Sequence, residues 1–341
     1  SAGQVALTLA EGTTLLTTTP TIPDYVGVSI TERAVADAIT DRADAYAQAM
    51  DRVVALRREE VGQSPPRERS VVGPGPEPDG RLASAQRKAL DALLGFTVMD
   101  PAMGTGTLLV SALDVAVDAV LALVYSYHET HPWVPWSWNP LSKALADQRL
   151  MASQDPAWRQ YPLVGDAALL ARLVVPRSIF GVDPRRTAVE LARASLGMRA
   201  FAPALPFVPL QSHIRQGDSL TGLRLNQLLA DLRHAGPVSA GLADRVLAAL
   251  QASRGEGGSG LDLLPLQRLF DLWLSRHYGN AGVLDLVQRW GDDLLSMLSG
   301  GYDLTEMDQA ILDRADAIRE EQGFLHWGLV FPDVFHPTGS E

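Results

Sequence analysis

The stretch VMDPAMGTGT at 98–107 limits the possible folds of this chain more than any other segment. A short apolar run ends in Asp100, and a turn with Gly104 and Gly106 leads directly into a long apolar segment. Glycines allow a tight turn and close approach of a ligand, and a helix that follows offers unpaired N–H groups. The pattern predicts a strand–turn–helix unit that binds a carboxylate or phosphate at the helix and an ammonium group at Asp100.

Two more acids follow short apolar strands. Asp183 comes after the predicted strand 178–182, and Asp218 comes after the predicted strand 213–215. Alternation of strands with helices predicts a doubly wound α/β domain, in which ligands bind beyond the carboxyl ends of the strands. This rule selects Asp100, Asp183 and Asp218 as candidate ligand contacts.

Simpler explanations exist for each of these features. The two-glycine turn could serve without a ligand, and it lacks both the third glycine of a dinucleotide fingerprint and the lysine of a P-loop. Asp183 could cap a helix over 184–198, with Pro184 at its first position. Asp218 could be an ordinary turn acid.

The chain divides into three segments on composition and periodicity. The pattern over residues 1–80 predicts an N-terminal helical segment and a Pro/Gly-rich linker. Residues 81–221 predict the α/β core, with an irregular aromatic insertion at 128–178. Residues 222–341 predict a helical insertion followed by an extended tail at 326–335.

Within the first segment, Ser29 and Glu32 have the spacing of a capping box. Apolar residues then recur at steps of three and four. This pattern predicts one long helix over 31–60.

Charge and cysteine content exclude several classes. The 29 basic and 40 acidic residues give a net charge of −11, which argues against a generally basic nucleic-acid binder. The absence of cysteine excludes disulfide scaffolds and thiolate metal sites, and it fits a reducing, cytoplasmic location. The apolar stretch 108–127 carries Asp114 and Asp118 on one helix face, which predicts a core helix and no membrane span.

The segment around His128 holds two weaker signals. His128 and His131 are one residue too close for a zinc-binding pair on a helix, so no metal is expected. Trp133, Trp136 and Trp138 could stack on bases, but packing of an insertion is favoured because no basic residues are interleaved. Arg185 and Arg186 are expected to be solvated.

Five stretches, taken in order, resemble one enzyme family. DPAMGTGTLLVSAL at 100–113, IFGVDPRRTAVELARASL at 179–196 and HIRQGDSLTG at 213–222 resemble motifs I, II and III of S-adenosylmethionine-dependent N6-adenine DNA methyltransferases. LFDLW at 269–273 and FLHWGLVFPDVF at 324–335 resemble two further stretches of that family. The likeness is to the large bacterial enzymes of type IIG and type IIL restriction–modification and of BREX and DISARM phage defence.

The resemblance implies a partial Rossmann-like methyltransferase fold, containing strands 1–3, with large helical insertions. Asp100 and the backbone of 102–106 would hold the methionine part of S-adenosyl-L-methionine. Asp183 would bind the ribose hydroxyls, Pro184 would pack on the adenine, and Asp218 would accept from the adenine amino group. The cofactor-binding residues implied are Asp100, Pro101, Ala102, Met103, Gly104, Gly106, Leu108, Asp183, Pro184, Asp218, Ser219 and Leu220.

The sequence departs from the family in two places. The family's catalytic Asn-Pro-Pro-aromatic motif has no counterpart, since no Asn-Pro-Pro or Asp-Pro-Pro tripeptide occurs; Asn139-Pro140-Leu141 lies between motifs I and II. We therefore expect no catalytic residue in this chain and a chain that ends before its catalytic strand. The upstream motif is poorly matched, its nearest candidate being 27–31.

The implied function is the cofactor-binding portion of a site-specific adenine methyltransferase. DNA, bound mostly by parts of the full protein outside this chain, and other subunits of a defence system are the expected partners. The alternative is a non-catalytic S-adenosylmethionine-binding fragment or scaffold that needs a partner segment. A Rossmann-type oxidoreductase is a third reading. Strand 1 would have an open edge, covered by the tail 324–335, a helix or a second chain.

Overall fold

The computed structural model describes residues 24–63, 80–155, 164–253, 263–300 and 302–335. These residues form two compact units. The helical unit comprises the described residues of 1–98, 103–178 and 194–208, and the sheet unit comprises those of 99–102, 179–193 and 209–341.

The secondary structure is mostly helical. The first half of the chain contains α1 (Asp24–Thr31), a π-helical turn (Glu32–Ala36), α2 (Asp37–Thr40), α3 (Ala43–Gln63), α4 (Gly80–Leu94), β1 (Val98–Asp100), α5 (Thr107–Thr130), α6 (Pro140–Ser153) and α7 (Asp166–Ser178). The second half contains β2 (Ile179–Asp183), α8 (Arg186–Arg199), β3 (Ile214–Gln216), α9 (Leu225–His234), α10 (Pro237–Ser253), α11 (Leu264–Ser275), α12 (Val283–Trp290), α13 (Leu294–Leu298), α14 (Glu306–Gln322), α15 (Trp327–Val330) and α16 (Pro332–Phe335).

The three predicted strands form one small parallel sheet in the order β1-β2-β3, which confirms the α/β class. In the β2–β3 pair, Gly181 lies opposite Ile214 and Asp183 lies opposite Gln216. β2 is buried along its whole length, as expected for a central parallel strand. The sheet therefore brings the ends of the three strands side by side.

The predicted continuous helix over 31–60 is wrong. The helix begins at Asp24, passes through the π-helical turn and breaks before Ala43. Thr31 is inside this helical run, because its hydroxyl donates back to the carbonyl of Gly27 at 2.9 Å. At the break, Arg42 Nε donates to the carbonyl of Ala92 at 2.8 Å, so a tertiary hydrogen bond stabilises an interruption that the apolar periodicity does not reveal.

The predicted irregular insertion at 128–178 is also wrong, because α6 and α7 occupy much of it. Asn139 caps α6: its Oδ1 accepts from Leu141 N at 2.9 Å, and Pro140 takes the first helical position. An Asn-Pro pair is a typical helix start. The many tryptophans nearby led to the prediction of an irregular segment. The Asn139 amide group is fully buried and donates to Tyr46 Oη at 2.8 Å and to His128 Nε2 at 3.1 Å.

One described helix, α5, is long and apolar enough to cross a membrane by length and composition. Soluble core helices pass the same test. Its buried residues include Leu109, Leu113 and Val117. Asp114, which the sequence left without a partner, forms an ion pair with Arg199 of the same unit.

The helical pattern predicted after residue 222 is confirmed by α9 to α14. These helices bury one apolar cluster centred on Phe270 and Trp273 of α11. Leu223 and Phe324, at the two ends of the insertion, belong to the same cluster. The insertion therefore has a core of its own, and its first and last residues are anchored in it.

The prediction of an extended tail is wrong. The tail forms α15 and α16, each of which is a single helical turn. Phe331 N donates to the Trp327 carbonyl at 2.9 Å, and Pro332 begins the second turn. Helical turns put Trp327 and Phe331 on one side, with Phe331 edge-on to Phe180 of β2 at 5.7 Å between ring centroids.

The tail packs against a face of the sheet. Phe180 and Val182 are two residues apart on β2 and so point to one face, where they cluster with Leu325 and Phe331. Met99 of β1 packs on this cluster. The sheet has three strands within the described residues, so no described strand pairs with the outer edge of β1.

Two glycines allow the loop after β3 to lie directly against the start of the tail. A Cβ atom on Gly217 would come within 2.8 Å of Leu325 Cδ1, and one on Gly222 would overlap the Leu325 carbonyl oxygen. Leu325 N also donates to the Thr221 carbonyl at 2.7 Å. Backbone packs on backbone in this region, with no space for a side chain.

We expect Gly222→Ala to destabilise the protein by about 1–3 kcal/mol, because the new methyl group would overlap backbone that cannot move aside easily. Gly165→Ala is the matched control, since a Cβ there meets no atom within 4 Å. Urea unfolding followed by circular dichroism measures both. Equal unfolding midpoints for the two variants would contradict the close packing at Gly222.

His128 should make stability depend on pH. Burial chiefly lowers the pKa of His128; the nearby His131 also lowers it, and a hydrogen bond with Val134 opposes the shift. The contribution should be complete above about pH 6.5, the unfolded value, and should be lost as the pH falls toward the lower folded pKa.

In His128→Gln the amide oxygen can still accept from Asn139, but it does not titrate. We therefore expect the melting temperature of this variant to fall less between pH 7.5 and pH 5 than that of wild type. His277→Gln, at an exposed histidine, is the control and should follow wild type. The same fall in His128→Gln and wild type would show that His128 does not contribute.

Candidate functional site

The three predicted acids lie at one edge of the sheet. Asp100 ends β1, Asp183 ends β2, and Asp218 follows β3 by two residues. The carboxyl ends of adjacent parallel strands lie side by side, where open α/β sheets bind ligands. Asp100 and Asp183 are close enough for the charge of Asp183 to raise the pKa of Asp100.

The charge on Asp100 is only partly compensated. Burial is the main cause that raises the pKa of Asp100 above its ordinary value; a hydrogen bond from Ala102 N opposes the shift, and the charge of Asp183 adds to it. That bond, 2.9 Å long, uses Oδ1, and Oδ2 has no hydrogen-bond partner within the part of the chain that is described. A carboxylate in this state is stabilised by a cationic group.

Asp183 is 4% exposed and is paired with Arg185. Its Oδ1 accepts from Arg185 N at 2.9 Å and from Arg185 Nε at 3.0 Å, and Oδ2 accepts from Nη2 at 3.3 Å. The same hydrogen bonds raise the pKa of Arg185. The prediction that Arg185 is solvated is therefore only partly right. Its side chain is 46% exposed, but its guanidinium group pairs with Asp183.

The predicted helix start at Pro184 is wrong, because α8 begins at Arg186. Asp183 accepts the backbone N–H of Arg185, which precedes the helix, so it orders the turn before α8 and does not cap the first helical turn. Pro184 is exposed beside Asp183, and its carbonyl accepts from Gln216 Nε2 at 3.1 Å.

The Asp218 loop, residues 217–223, is held mainly by backbone atoms. Asp218 Oδ1 accepts from Leu220 N at 2.9 Å, and Asp218 N donates to the Gly323 carbonyl at 2.7 Å. Trp327 Nε1 donates to the Ser219 carbonyl at 3.1 Å. Leu220 is 91% exposed, which leaves an apolar side chain next to the acid with nothing packed on it.

A buried pair of polar residues that the sequence patterns did not indicate contacts the end of this loop. His326 Nδ1 accepts from Leu223 N at 3.0 Å, and His326 Nε2 lies 2.9 Å from Asp271 Oδ1. Both side chains are almost fully buried. Asp271 and His326 are each the one polar residue in an apolar run, FDLW and FLHW, and two such residues could have been predicted to pair.

The glycine-containing turn belongs to the helical unit and has the predicted geometry. Gly104 and Gly106 have φ values of +56° and +85°, in the left-handed region that glycine adopts readily. Gly106 is the N-cap of α5 and has no side chain to cap it, so no side-chain cap binds the first-turn N–H groups among the described residues. Met103 is buried, and Leu108 is half-buried.

The poorly matched upstream segment 27–31 lies against the first turns of α5. Thr31 Oγ1 is 3.0 Å from Ser111 Oγ, and a Cβ on Gly27 would be 3.7 Å from Leu108 Cδ2. The structure therefore places this segment beside the residues that follow the turn, which sequence similarity alone did not establish.

Two other candidate sites are not supported. His128 binds Asn139, and His131 Nδ1 lies 3.0 Å from the Tyr127 carbonyl. Among the described residues no group of three histidine or acidic side chains could hold a metal ion. Asn139, the nearest sequence match to a catalytic asparagine, is a helix cap whose side chain is fully buried and does not face the solvent.

Comparison with known proteins gave no relative. No protein family matches the chain, and no curated protein or solved structure is significantly similar to it.

Proposed function

We propose that this chain is the S-adenosylmethionine-binding part of a DNA adenine-N6 methyltransferase with a Rossmann-like methyltransferase fold. The observation that carries the proposal is the set of three carboxylates, Asp100, Asp183 and Asp218, at the ends of three adjacent parallel strands. Carboxylates only accept hydrogen bonds, and this cofactor offers donors in three places: its ammonium group, its ribose hydroxyls and its adenine amino group.

Each acid has a proposed partner. Asp100 takes the ammonium group, because its charge is incompletely compensated. Asp183 accepts from the ribose hydroxyls, and Asp218 accepts from the adenine amino group through Oδ2, while Oδ1 stays on Leu220 N. The exposed apolar surfaces of Pro184 and Leu220 pack on the adenine ring.

The charge of this edge favours S-adenosylmethionine over a dinucleotide. The cofactor carries a sulfonium and an ammonium group, whereas a dinucleotide carries a negatively charged pyrophosphate. The carboxylate of Asp100, whose charge is only partly compensated, would repel the pyrophosphate. This repulsion favours methyl transfer over the oxidoreductase alternative.

The chemistry of the bound cofactor would be donation of its sulfonium methyl group to the N6 amine of a DNA adenine. The residues of this chain would bind and orient the cofactor. The sequence contains no Asn-Pro-Pro tripeptide to hold the target amine, and the net charge of −11 does not favour an extensive DNA contact. A partner segment would therefore supply the catalytic motif and most of the DNA-binding surface.

The second candidate function follows from the same observation. The chain could instead be a non-catalytic scaffold that binds S-adenosylmethionine and has no chemistry of its own. Methylation assays with and without added candidate segments separate the two functions, since only the first gains activity.

Isothermal titration calorimetry with S-adenosylmethionine tests the proposed function, with NAD titrated in parallel. We expect binding of the first and none of the second. If the folded protein does not bind S-adenosylmethionine, or binds NAD more tightly, the proposal is overturned.

Asp183→Asn should weaken S-adenosylmethionine binding by about 10- to 100-fold, because hydrogen bonds to a charged acceptor contribute more than neutral ones. Asp285→Asn is the control: Asp285 is an exposed acid on α12 and should leave the affinity unchanged. Equal affinity of the two variants would show that Asp183 does not contact the cofactor.

Arg185→Ala should strengthen binding several-fold, because the Arg185 guanidinium occupies carboxylate oxygens that the ribose hydroxyls would use. The backbone N–H of residue 185 would still donate to Asp183. Weaker binding in this variant would mean that Arg185 assists the cofactor.

A further inference from the structure

The Asp218 loop is fixed at its far end by a side chain that lies 103 residues away in sequence. Leu223 N donates to His326 Nδ1 at 3.0 Å, in a buried environment. Nδ1 must therefore be the unprotonated ring nitrogen. The neutral ring carries its proton on Nε2, which then donates to Asp271 Oδ1 at 2.9 Å.

Asp271 determines which ring nitrogen holds the proton. A carboxylate has no hydrogen to donate, so it can form this hydrogen bond only with a ring that is protonated on Nε2. If Nδ1 carried the proton, two N–H groups would face each other between His326 and Leu223, and the loop would have to move. Asp271 is 3% exposed and His326 is 1% exposed, so water does not replace either partner.

The loop itself has few other ways to adjust. Gly222 lies directly on the Leu325 carbonyl. The tail also forms hydrogen bonds with three other loop residues: Asp218 binds the Gly323 carbonyl, Ser219 binds Trp327 Nε1, and Thr221 binds Leu325 N. We therefore expect a shift of Leu223 to move Leu220 and Asp218, three and five residues away. Leu220 N orients the Asp218 carboxylate through its bond to Oδ1.

We propose that Asp271 and His326 are positioning residues that hold Asp218 so that the site selects a base with an amino group over one with a keto oxygen at the same position. This inference rests on the proposed function. An amino group donates to the Asp218 carboxylate, whereas a keto oxygen faces it with a second acceptor.

The selectivity is measured by calorimetric titration with S-adenosylhomocysteine and with S-inosylhomocysteine, which has a keto oxygen in place of the adenine amino group. The ratio of the two dissociation constants is the readout. We expect wild type to prefer the adenine ligand by about 10-fold or more. Loss of stability alone would weaken the binding of both ligands equally and leave the ratio of the dissociation constants unchanged.

Four variants separate the two hydrogen bonds. His326→Asn keeps an acceptor at the Nδ1 position and should retain the ratio, whereas His326→Gln and His326→Phe remove that acceptor and should lower it to about 3-fold or less. Asp271→Asn keeps the shape but can donate, so it admits the wrong tautomer and should also lower the ratio. His277→Gln, an exposed histidine of the same unit, should match wild type.

Two measurements report on the positioning without any ligand. The ¹⁵N shifts of His326 should show the Nε2–H tautomer in wild type and a mixture in Asp271→Asn. Amide hydrogen exchange at Leu220 and Leu223 should be faster in Asp271→Asn and His326→Gln than in His326→Asn.

These outcomes distinguish the two claims. If wild type binds neither ligand, the proposed function fails, and exchange rates at Leu220 and Leu223 that are unchanged in Asp271→Asn overturn the positioning as well. If wild type binds and the ratio stays unchanged in Asp271→Asn and His326→Gln, the proposed function stands and this inference is overturned.

Discussion

The hydrogen bond from Leu223 N to His326 Nδ1 connects three parts of the sheet unit. It joins the end of the Asp218 loop to the tail, and Asp271 on α11 joins both to the core of the helical insertion. A three-stranded sheet of short strands offers few backbone hydrogen bonds of its own. Loops at its carboxyl edge therefore need support from elsewhere, and a buried histidine with a partner on each ring nitrogen supplies a defined geometry.

Uncompensated negative charge is the second property of this edge. Asp100 and Asp183 end adjacent strands, and each is partly or fully removed from water. Asp183 is neutralised by Arg185, two residues along in sequence, but Asp100 has only a backbone N–H donor among the described residues. This difference explains why a cationic ligand group is expected at β1 and hydroxyl donors at β2, and it links the electrostatics of the fold to the class of ligand proposed.

Much of the fold and the candidate site could be predicted from local signals. The two glycines with positive φ, the three strand-end acids and the helical region after 222 follow from turn chemistry and periodicity, which act over a few residues. The break before Ala43, the α6 helix and the helical tail could not, since each depends on a bond to a distant residue or a cap hidden among aromatic side chains. Arg42, for example, reaches a carbonyl fifty residues away.

Residues that are close together in the chain define the available chemistry: acceptor-only side chains after three apolar strands, a glycine turn that can approach a ligand, and no cysteine. Which of these groups have hydrogen-bond partners depends on how the elements pack. The packing placed Arg185 on Asp183, left one oxygen of Asp100 and one of Asp218 without a partner among the described residues, and brought His326 to Asp271. The physical reason is that burial and hydrogen-bond partners arise from residues distant in sequence, so they become defined only when the elements pack.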